Sequence, residues 1–347
     1  MNFKYNNKTF FTNKDGPTII AEISCNHNGK KSNLLKHIKS AKKAGADIIK
    51  IQTYRPEDIV LKNKFKIRSG IWKGMNLWKL YNKAQTPFEW HEDAFKLAGK
   101  LKIPLFSSPF SIEAVSFLKK KFDPPFYKIA SAEITDLKLI NEIAKTKKPV
   151  LVSTGMATFK EIDNALKTIK KHHKKILLMH CVSGYPTPDH EANISFIHKL
   201  KMRYPKIPIG LSDHTNNIYS SLASVSLGIV AIEKHFILSK KSKSLDSKFS
   251  IDSSEFRELK ETCKNIYNTL GKATKKNIKS EKETKKLRRS IFTTKFIKKN
   301  EKINSKNINT FRPKIGICAS EYFNVIGKYA KKNLSPNFPL YWSNLKK

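Results

Sequence analysis

Eight short apolar runs, each ending in a cluster of polar residues capable of chemistry, constrain this chain more than any other feature. They are Ile19–Ser24, Ile48–Thr53, Leu105–Ser108, Tyr127–Ser131, Val150–Thr154, Leu177–Cys181, Ile209–His214 and Ala231–His235. Stretches with helical spacing separate them. After the first run, Leu34, Leu35, Ile38 and Ala41 recur at helical intervals and stop at Gly45, just before the second. The same rhythm predicts helices near 111–120, 136–146, 158–171, 190–202, 216–227 and 253–270. Buried strands alternating with helices predict a parallel sheet, and eight of them predict an α/β fold closed as a (β/α)8 TIM barrel. In such a barrel the carboxyl ends of the strands build the active site, so the polar clusters point to an enzyme.

With 347 residues, the chain can hold such a barrel over 1–270 and a second, smaller domain. The segment 271–289 is rich in Lys and Arg and poor in large apolar residues, and reads as a linker. Beyond it, 290–347 carries short apolar segments punctuated by turns, as in a small β-rich domain with a thin core. The formal charge of +40 raises nucleic acid as a partner, but only seven of the 68 basic residues are Arg, and Lys is spread along nearly every helix. A phosphate-reading face clusters its charge and uses Arg forks, so a solvated Lys-rich surface is the better reading, with no nucleic-acid partner. The four cysteines are scattered without a C-x-x-C pair, which suits a reducing cytosol. No run reaches the length of a membrane span and no basic start leads into an apolar stretch, so the expectation is a cytoplasmic protein with no membrane contact.

Lys50 and Lys128 alternate with apolar neighbours inside buried strands, which points their ammonium groups into the barrel mouth. With Ser108, Ser131, Ser153, Ser183 and Ser212 they would cradle an anion carrying a phosphate and a carboxylate; the competing reading is a Lys neutralised by a structural Glu. His214 and His235 end neighbouring strands and can converge on a divalent metal, with Asp213 and Glu233 as carboxylates to orient the imidazoles. The alternative is a pair of hydrogen-bonded core histidines. Glu22 and Glu133 stand at or just past strand ends, and either can act as acid or base; spacing does not choose between them. Gln52, Asn26, Asn28 and Tyr185 would add hydrogen bonds to a hydroxylated ligand. The long segment between the second and third runs gathers Trp72, Trp78, Tyr81 and Trp90, which shape a substrate pocket or simply anchor the loop.

At these residues the chain resembles the sialic acid synthase family along nearly its whole length. The likeness rests on Ala21–Gly29, Lys50–Tyr54, Tyr127–Ser131, Ser153–Met156, Gly210–Thr215 and Ile232–Phe236. Within that family, Trp72–Gly74, Leu77, Leu80–Tyr81, Ala84, Thr86–Pro87 and Trp90 are most similar to pseudaminic acid synthases, and the tail, including Asn309–Pro313, resembles an antifreeze-like (SAF) domain. The resemblance implies condensation of phosphoenolpyruvate with an acylated amino sugar. It implies Mn²⁺ or Mg²⁺ on His214 and His235, and phosphoenolpyruvate on Lys50, Ser108, Lys128, Ser131, Ser153, Ser183 and Ser212. It further implies Glu22 as the acid/base group, sugar contacts from Gln52, Glu133, Tyr185 and Asp246, and a domain-swapped homodimer in which Arg312 reaches the partner's sugar. Two departures stand out. Lys240–Leu245 replaces a glycine-rich stretch before Asp246, and Lys314 follows Arg312-Pro313 where the family has Gly. A Schiff-base aldolase using Lys50 or Lys128, and a non-enzymatic basic binding protein, are the readings from other classes.

Overall fold

The computed structural model describes residues 3–347 except 7, 13, 63 and 275–277. Two compact units divide it, Met1–Gly271 and Lys272–Lys347. In the first, β1 (Phe3–Tyr5) and β2 (Lys8–Phe10) form a small hairpin. Then follow β3 (Thr18–Glu22), β4 (Ile48–Thr53), β5 (Leu105–Pro109), β6 (Tyr127–Ile129), β7 (Val150–Ser153), β8 (Ile176–Cys181), β9 (Ile209–Asp213) and β10 (Ala231–His235). Strands β3 to β10 pair in parallel with their neighbours, and β10 closes on β3 through Ile232 opposite Ile19 and His235 opposite Glu22. The (β/α)8 barrel expected from the eight runs is therefore the fold.

The period of two along each strand divides the side chains. Ile19, Ala21, Ile49, Ile51, Ile129, Val152, Leu178 and Ile232 share a buried cluster with the helix residues Leu34, Ile38, Ala94, Leu118 and Ile140. Ile20, Ile48, Phe106, Leu151, Met179 and Ala231 form a separate cluster inside the barrel. Two residues further along the same strands, on the same inward face, come Glu22, Lys50, Ser108, Ser153, Cys181 and Glu233, all buried. The barrel interior thus changes from an apolar floor to a polar mouth within one layer.

The hairpin β1–β2 plugs the floor, an element for which the sequence offers little periodicity because each strand has three residues. Phe3, Phe10 and Phe11 surround Phe126 at ring-centroid distances of 5.8, 6.3 and 5.3 Å, and Phe126 meets Phe106 of β5 edge-on at 5.9 Å. Phe126→Ala should therefore lower unfolding free energy by about 3–5 kcal/mol, the cost of an aromatic-sized cavity in a packed core. Urea denaturation measures it; a loss below about 1 kcal/mol would mean the hairpin is not part of the core.

Residues 54–104 are only partly an insertion. They hold short helices at Pro56–Ile59 and Leu77–Ala84, but Phe88–Lys100 is the regular barrel helix, burying Ala94 and Ala98, with His91 Nε2 2.8 Å from Thr53 Oγ1. In the second unit, Ser290–Thr293 pairs antiparallel with Ile308–Phe311, and Tyr329–Ala330 with Leu345–Lys346, over a core that includes Ile291, Ile297, Ile303, Ile308, Leu334 and Leu340. A short helix, Glu281–Lys286, stands in the stretch expected to be a linker. Among the described residues no helix is long and apolar enough to cross a membrane.

Candidate active site

The inward residues of the mouth form one charged network. Glu233 lies at its centre: Oε1 accepts from Lys128 Nζ at 3.0 Å and Ser212 Oγ at 3.2 Å, Oε2 accepts from Lys128 at 3.1 Å, and Lys50 Nζ stands 3.4 Å from Oε1. Lys50 also pairs with Glu22 at 2.8 Å and donates to Ser108 Oγ at 3.3 Å, while Gln52 Nε2 donates to the other Glu22 oxygen at 3.1 Å. Both lysines are thus met by carboxylates, as the competing reading of the sequence expects.

The two lysines are not equivalent. Burial disfavours the Lys50 ammonium, but Glu22 and Glu233 outweigh it and its pKa is raised. For Lys128, burial and the nearby Lys50 charge outweigh its single carboxylate, and its pKa is lowered. Glu233 is held well below the usual carboxylate range because Lys128 and Lys50 together overcome its burial. Lys50 thus has two carboxylates within ion-pair reach, whereas Lys128 has one, which it shares with Lys50, so Lys128 is the ammonium with more room for the charge of an incoming anion.

Two further donors belong to the mouth. Ser153 Oγ is buried with no hydrogen-bond partner, and the backbone N–H of Gly155 donates to Ser131 Oγ at 3.2 Å. A Cβ on Gly155 would overlap Ser183 Oγ and lie 2.8 Å from Ser131 Oγ, so the absence of a side chain lets these two hydroxyls pack against the backbone here. Sequence spacing does not reveal that cradle, though Ser153-Thr154-Gly155 after a strand is its visible trace. Gly155→Ala should raise the KM for the anionic substrate by about one to two orders of magnitude with the barrel still folded, as measured by steady-state kinetics and circular dichroism.

His235 continues the inward face of β10 two residues beyond Glu233, and the His214 and His235 rings lie 5.4 Å apart. The imidazoles and the lysine network therefore share one rim. His214 Nδ1 is 3.0 Å from the Val182 carbonyl and 3.6 Å from Cys181 Sγ, and His235 Nδ1 is 3.4 Å from Asp246 Oδ2, within ion-pair reach though without hydrogen-bond alignment. With His214 Nδ1 at a carbonyl and His235 Nδ1 turned toward Asp246, Nε2 is the nitrogen each ring could offer to a metal. The orienting carboxylate is Asp246, not Asp213 or Glu233. Asp213 faces outward, pairing with Lys234 at 3.1 Å and accepting from Thr215 and Ser221, and Glu233 belongs to the lysines. Among the described residues no group of three or more His, Cys, Asp or Glu is arranged to hold a metal ion, so an ion bound at this rim would have the two imidazoles as its protein ligands and would leave its other positions to water or substrate.

A cavity of about 260 Å³ opens beside this rim. Gln52, Ser131, Glu133, Ser183, Tyr185, His235 and Asp246 line its polar side, and Tyr54, Trp72, Leu80, Tyr81, Phe110 and Phe249 its apolar side. Of the four aromatics in the long segment only Trp72 and Tyr81 reach it. Trp90 packs edge-on against His27 at 5.3 Å, and Trp78 sits beneath Lys62 Nζ at 5.3 Å. Tyr185 leans over His214 with ring centroids 4.4 Å apart. Glu133 is raised to about 7 chiefly by burial, and its Oε2 has no hydrogen-bond partner, which leaves a carboxyl group ready to exchange a proton near neutrality. Asn26 and Asn28 serve the backbone instead of a ligand. Asn26 donates to the Phe236 carbonyl and Ser250 Oγ, at 2.9 and 2.8 Å, and accepts from Ser244, and Asn28 occupies a left-handed turn at φ 53°.

The two sequence departures have local explanations. Asp246 is buried against His235 although Lys240–Leu245 lacks glycine, because Trp72 Nε1 donates to the Leu245 carbonyl at 3.2 Å. Lys314 is outside the left-handed region and donates its N–H to the Lys286 carbonyl at 2.9 Å, so a side chain is tolerated there. Arg312 belongs to the other unit, where it lines a surface cavity with Lys285, Arg288, Arg289 and Cys318.

The NeuB family profile matches residues 37–275 and the SAF domain profile residues 288–346. The pseudaminic acid synthase of Campylobacter jejuni is 40% identical over 320 residues, covering 91% of this chain and 93% of its own. The N,N'-diacetyllegionaminic acid synthase of the same species is 36% identical over 323 residues, 91% of this chain and 96% of its own. A crystal structure of N-acetylneuraminic acid synthetase from Leptospira borgpetersenii, in complex with citrate, superposes with a TM-score of 0.74 at 30% identity, covering 82% of this chain and 95% of the other. A closed parallel barrel with a charged mouth, a SAF domain following it in the chain, and identity of this extent over nearly the full length of both chains place this protein in the NeuB family.

Proposed function

We propose that this enzyme is a nonulosonic acid synthase of the pseudaminic type. It condenses phosphoenolpyruvate with 2,4-diacetamido-2,4,6-trideoxy-L-altrose to a nine-carbon 2-keto sugar acid, with release of phosphate. The observation that carries the reading is the Lys50–Lys128 network of the barrel mouth, which shares one rim with two imidazoles and a half-apolar cavity. Lys50, Lys128, Ser108, Ser131, Ser153, Ser183 and Ser212 hold the phosphate and carboxylate of phosphoenolpyruvate. Gln52, Glu133, Tyr185 and Asp246 face the sugar. The presented imidazole nitrogens of His214 and His235 suit a divalent transition ion such as Mn²⁺ better than the oxygen-loving Mg²⁺. When bound, that ion would polarise the sugar aldehyde as a Lewis acid.

C3 of phosphoenolpyruvate then attacks the open-chain aldehyde, whose oxygen takes a proton and becomes a hydroxyl. Water adds to C2 of the resulting cation and gives up a proton, and the tetrahedral centre collapses to the ketone as the C2–O bond to phosphate breaks, the C2 hydroxyl proton leaving with the phosphate. Glu22, paired with Lys50 and bonded to Gln52, stands where it can take the proton of the attacking water, and Glu133 is poised to give one near neutral pH. Holding both reactants in line is itself worth up to roughly 7–11 kcal/mol.

The family resemblance supports a cytoplasmic, domain-swapped homodimer in which Arg312 covers the partner's sugar site. Arg312→Ala should then raise the sugar KM by about tenfold with the phosphoenolpyruvate KM unchanged; equal changes in both would remove the cross-subunit contact. The Schiff-base reading needs a neutral lysine; Lys50, held charged by Glu22 and Glu233, does not supply one, and Lys128, whose pKa is lowered, is the lysine that borohydride trapping tests. The deciding experiment incubates the protein with phosphoenolpyruvate, Mn²⁺ and a panel of sugars including 2,4-diacetamido-2,4,6-trideoxy-L-altrose, the legionaminic precursor and N-acetylmannosamine, and weighs the products by mass spectrometry. Preferential turnover of N-acetylmannosamine would replace the pseudaminic assignment, and borohydride inactivation in the presence of substrate would replace the mechanism.

A further inference from the structure

Trp72 does more than fill space beside the cavity. It sits at the tip of a short antiparallel ladder closed by the Lys66–Asn76 bridge, between Gly70 and Gly74, whose φ values of 77° and 85° only glycine adopts without strain. Its indole N–H crosses to the Leu245 carbonyl at 3.2 Å, and its ring lies 5.6 Å from Tyr185 and 6.3 Å from Phe249. Tyr185 in turn covers His214, Phe249 touches His235 at 4.8 Å, and Leu245 immediately precedes Asp246, the carboxylate facing His235. One side chain therefore spans from the segment after β4 to the segment after β10 and bears on both imidazoles through their neighbours.

We infer that Trp72 is a positioning and specificity residue: its N–H latches the 240–246 segment so that Asp246 faces His235, and its ring forms the apolar wall against which the sugar's deoxygenated end and acyl methyl pack. The second half rests on reading this cavity as the sugar site. Segment 240–246 carries three lysines and no apolar residue before Leu245; Ser244 ties it to Asn26 and Lys240 to Glu255, and the Trp72 N–H is its tie to the segment after β4 at the residue next to Asp246. Tyr54, Leu80, Tyr81 and Phe110 continue the wall, so a methyl there meets carbon, whereas a hydroxymethyl would lose its water partners without replacement.

Two substitutions separate the latch from the wall. Trp72→Phe keeps a ring and loses the N–H. Hydrogen–deuterium exchange at the 240–246 amides should quicken by about five- to tenfold, with exchange in the barrel strands unchanged. Trp72→Ala should in addition raise the KM for a 6-deoxy diacetamido sugar by about tenfold or more, leaving the phosphoenolpyruvate KM within about twofold of the parent. Unchanged exchange in Trp72→Phe overturns the latch, whether or not any sugar is turned over. A sugar KM unmoved in Trp72→Ala, or a phosphoenolpyruvate KM moved equally, overturns the wall. Failure of the parent enzyme to use any amino sugar would instead count against the proposed function, and the exchange result would still decide the latch.

Discussion

Lys128→Met should abolish phosphoenolpyruvate turnover, lowering kcat/KM by about a thousandfold or more, and should also destabilise the fold. The two losses have different causes. Turnover fails because Lys128 is the mouth cation with a single carboxylate beside it, shared with Lys50, and hence the one proposed to take the phosphate or carboxylate. Stability falls because Glu233, fully desolvated, loses its two-oxygen contact and keeps only Lys50 at 3.4 Å and Ser212. Removing one partner of a buried pair typically costs about 3–5 kcal/mol. Adding Glu233→Gln to Lys128→Met removes the orphaned charge and should restore most of the stability while leaving turnover absent. Chemical denaturation and a phosphate-release assay read the two effects separately. If the double variant recovered activity along with stability, the Lys128–Glu233 pair would be a structural ion pair and the anion cradle would have to lie elsewhere.

Much of this is legible in the amino-acid order, because a strand's period of two is a strong constraint. Once Ile48, Phe106, Leu151 and Ala231 are placed inward, Lys50, Ser108, Ser153 and Glu233 must follow them on the same face. What periodicity cannot give is partnership across the barrel. Lys128 and Glu233 are 105 residues apart in sequence, and nothing local reports that Glu233 answers the lysines while Asp213, a neighbour in kind and position, turns outward to Lys234. The period of two does separate them, since Asp213 is one residue from His214 and Glu233 two from His235, but it does not tell that the lysines across the barrel have already taken Glu233. Asp246 illustrates the converse, since the carbonyl of its neighbour Leu245 accepts from an indole N–H 173 residues earlier in the chain. Short elements are also hidden. The β1–β2 hairpin has too few residues to show alternation, and the irregular stretch before it obscures the Phe88–Lys100 helix.

His235→Ala should remove metal-dependent phosphate release altogether, and His214→Ala should do the same, because among the described residues only these two imidazoles stand at the rim, with no third ligand to compensate. Binding, as well as rate, should register the change. Electron paramagnetic resonance titration of Mn²⁺ should show affinity lowered by about two orders of magnitude or more in either variant, while calorimetry should find phosphoenolpyruvate still bound, since its cradle is built from other side chains. Asp246→Asn should fall between, weakening Mn²⁺ by about 10–100-fold, because the carboxylate acts through His235 Nδ1 and does not itself present a free ligand position. This ordering separates a metal site from two buried histidines that merely fill the rim, for which all three variants would bind Mn²⁺ as weakly as the parent. Full metal-dependent turnover in either histidine variant would defeat the assignment outright. Loss of turnover with Mn²⁺ affinity intact would keep the imidazoles in the chemistry but move the ion to other oxygen ligands on the same rim.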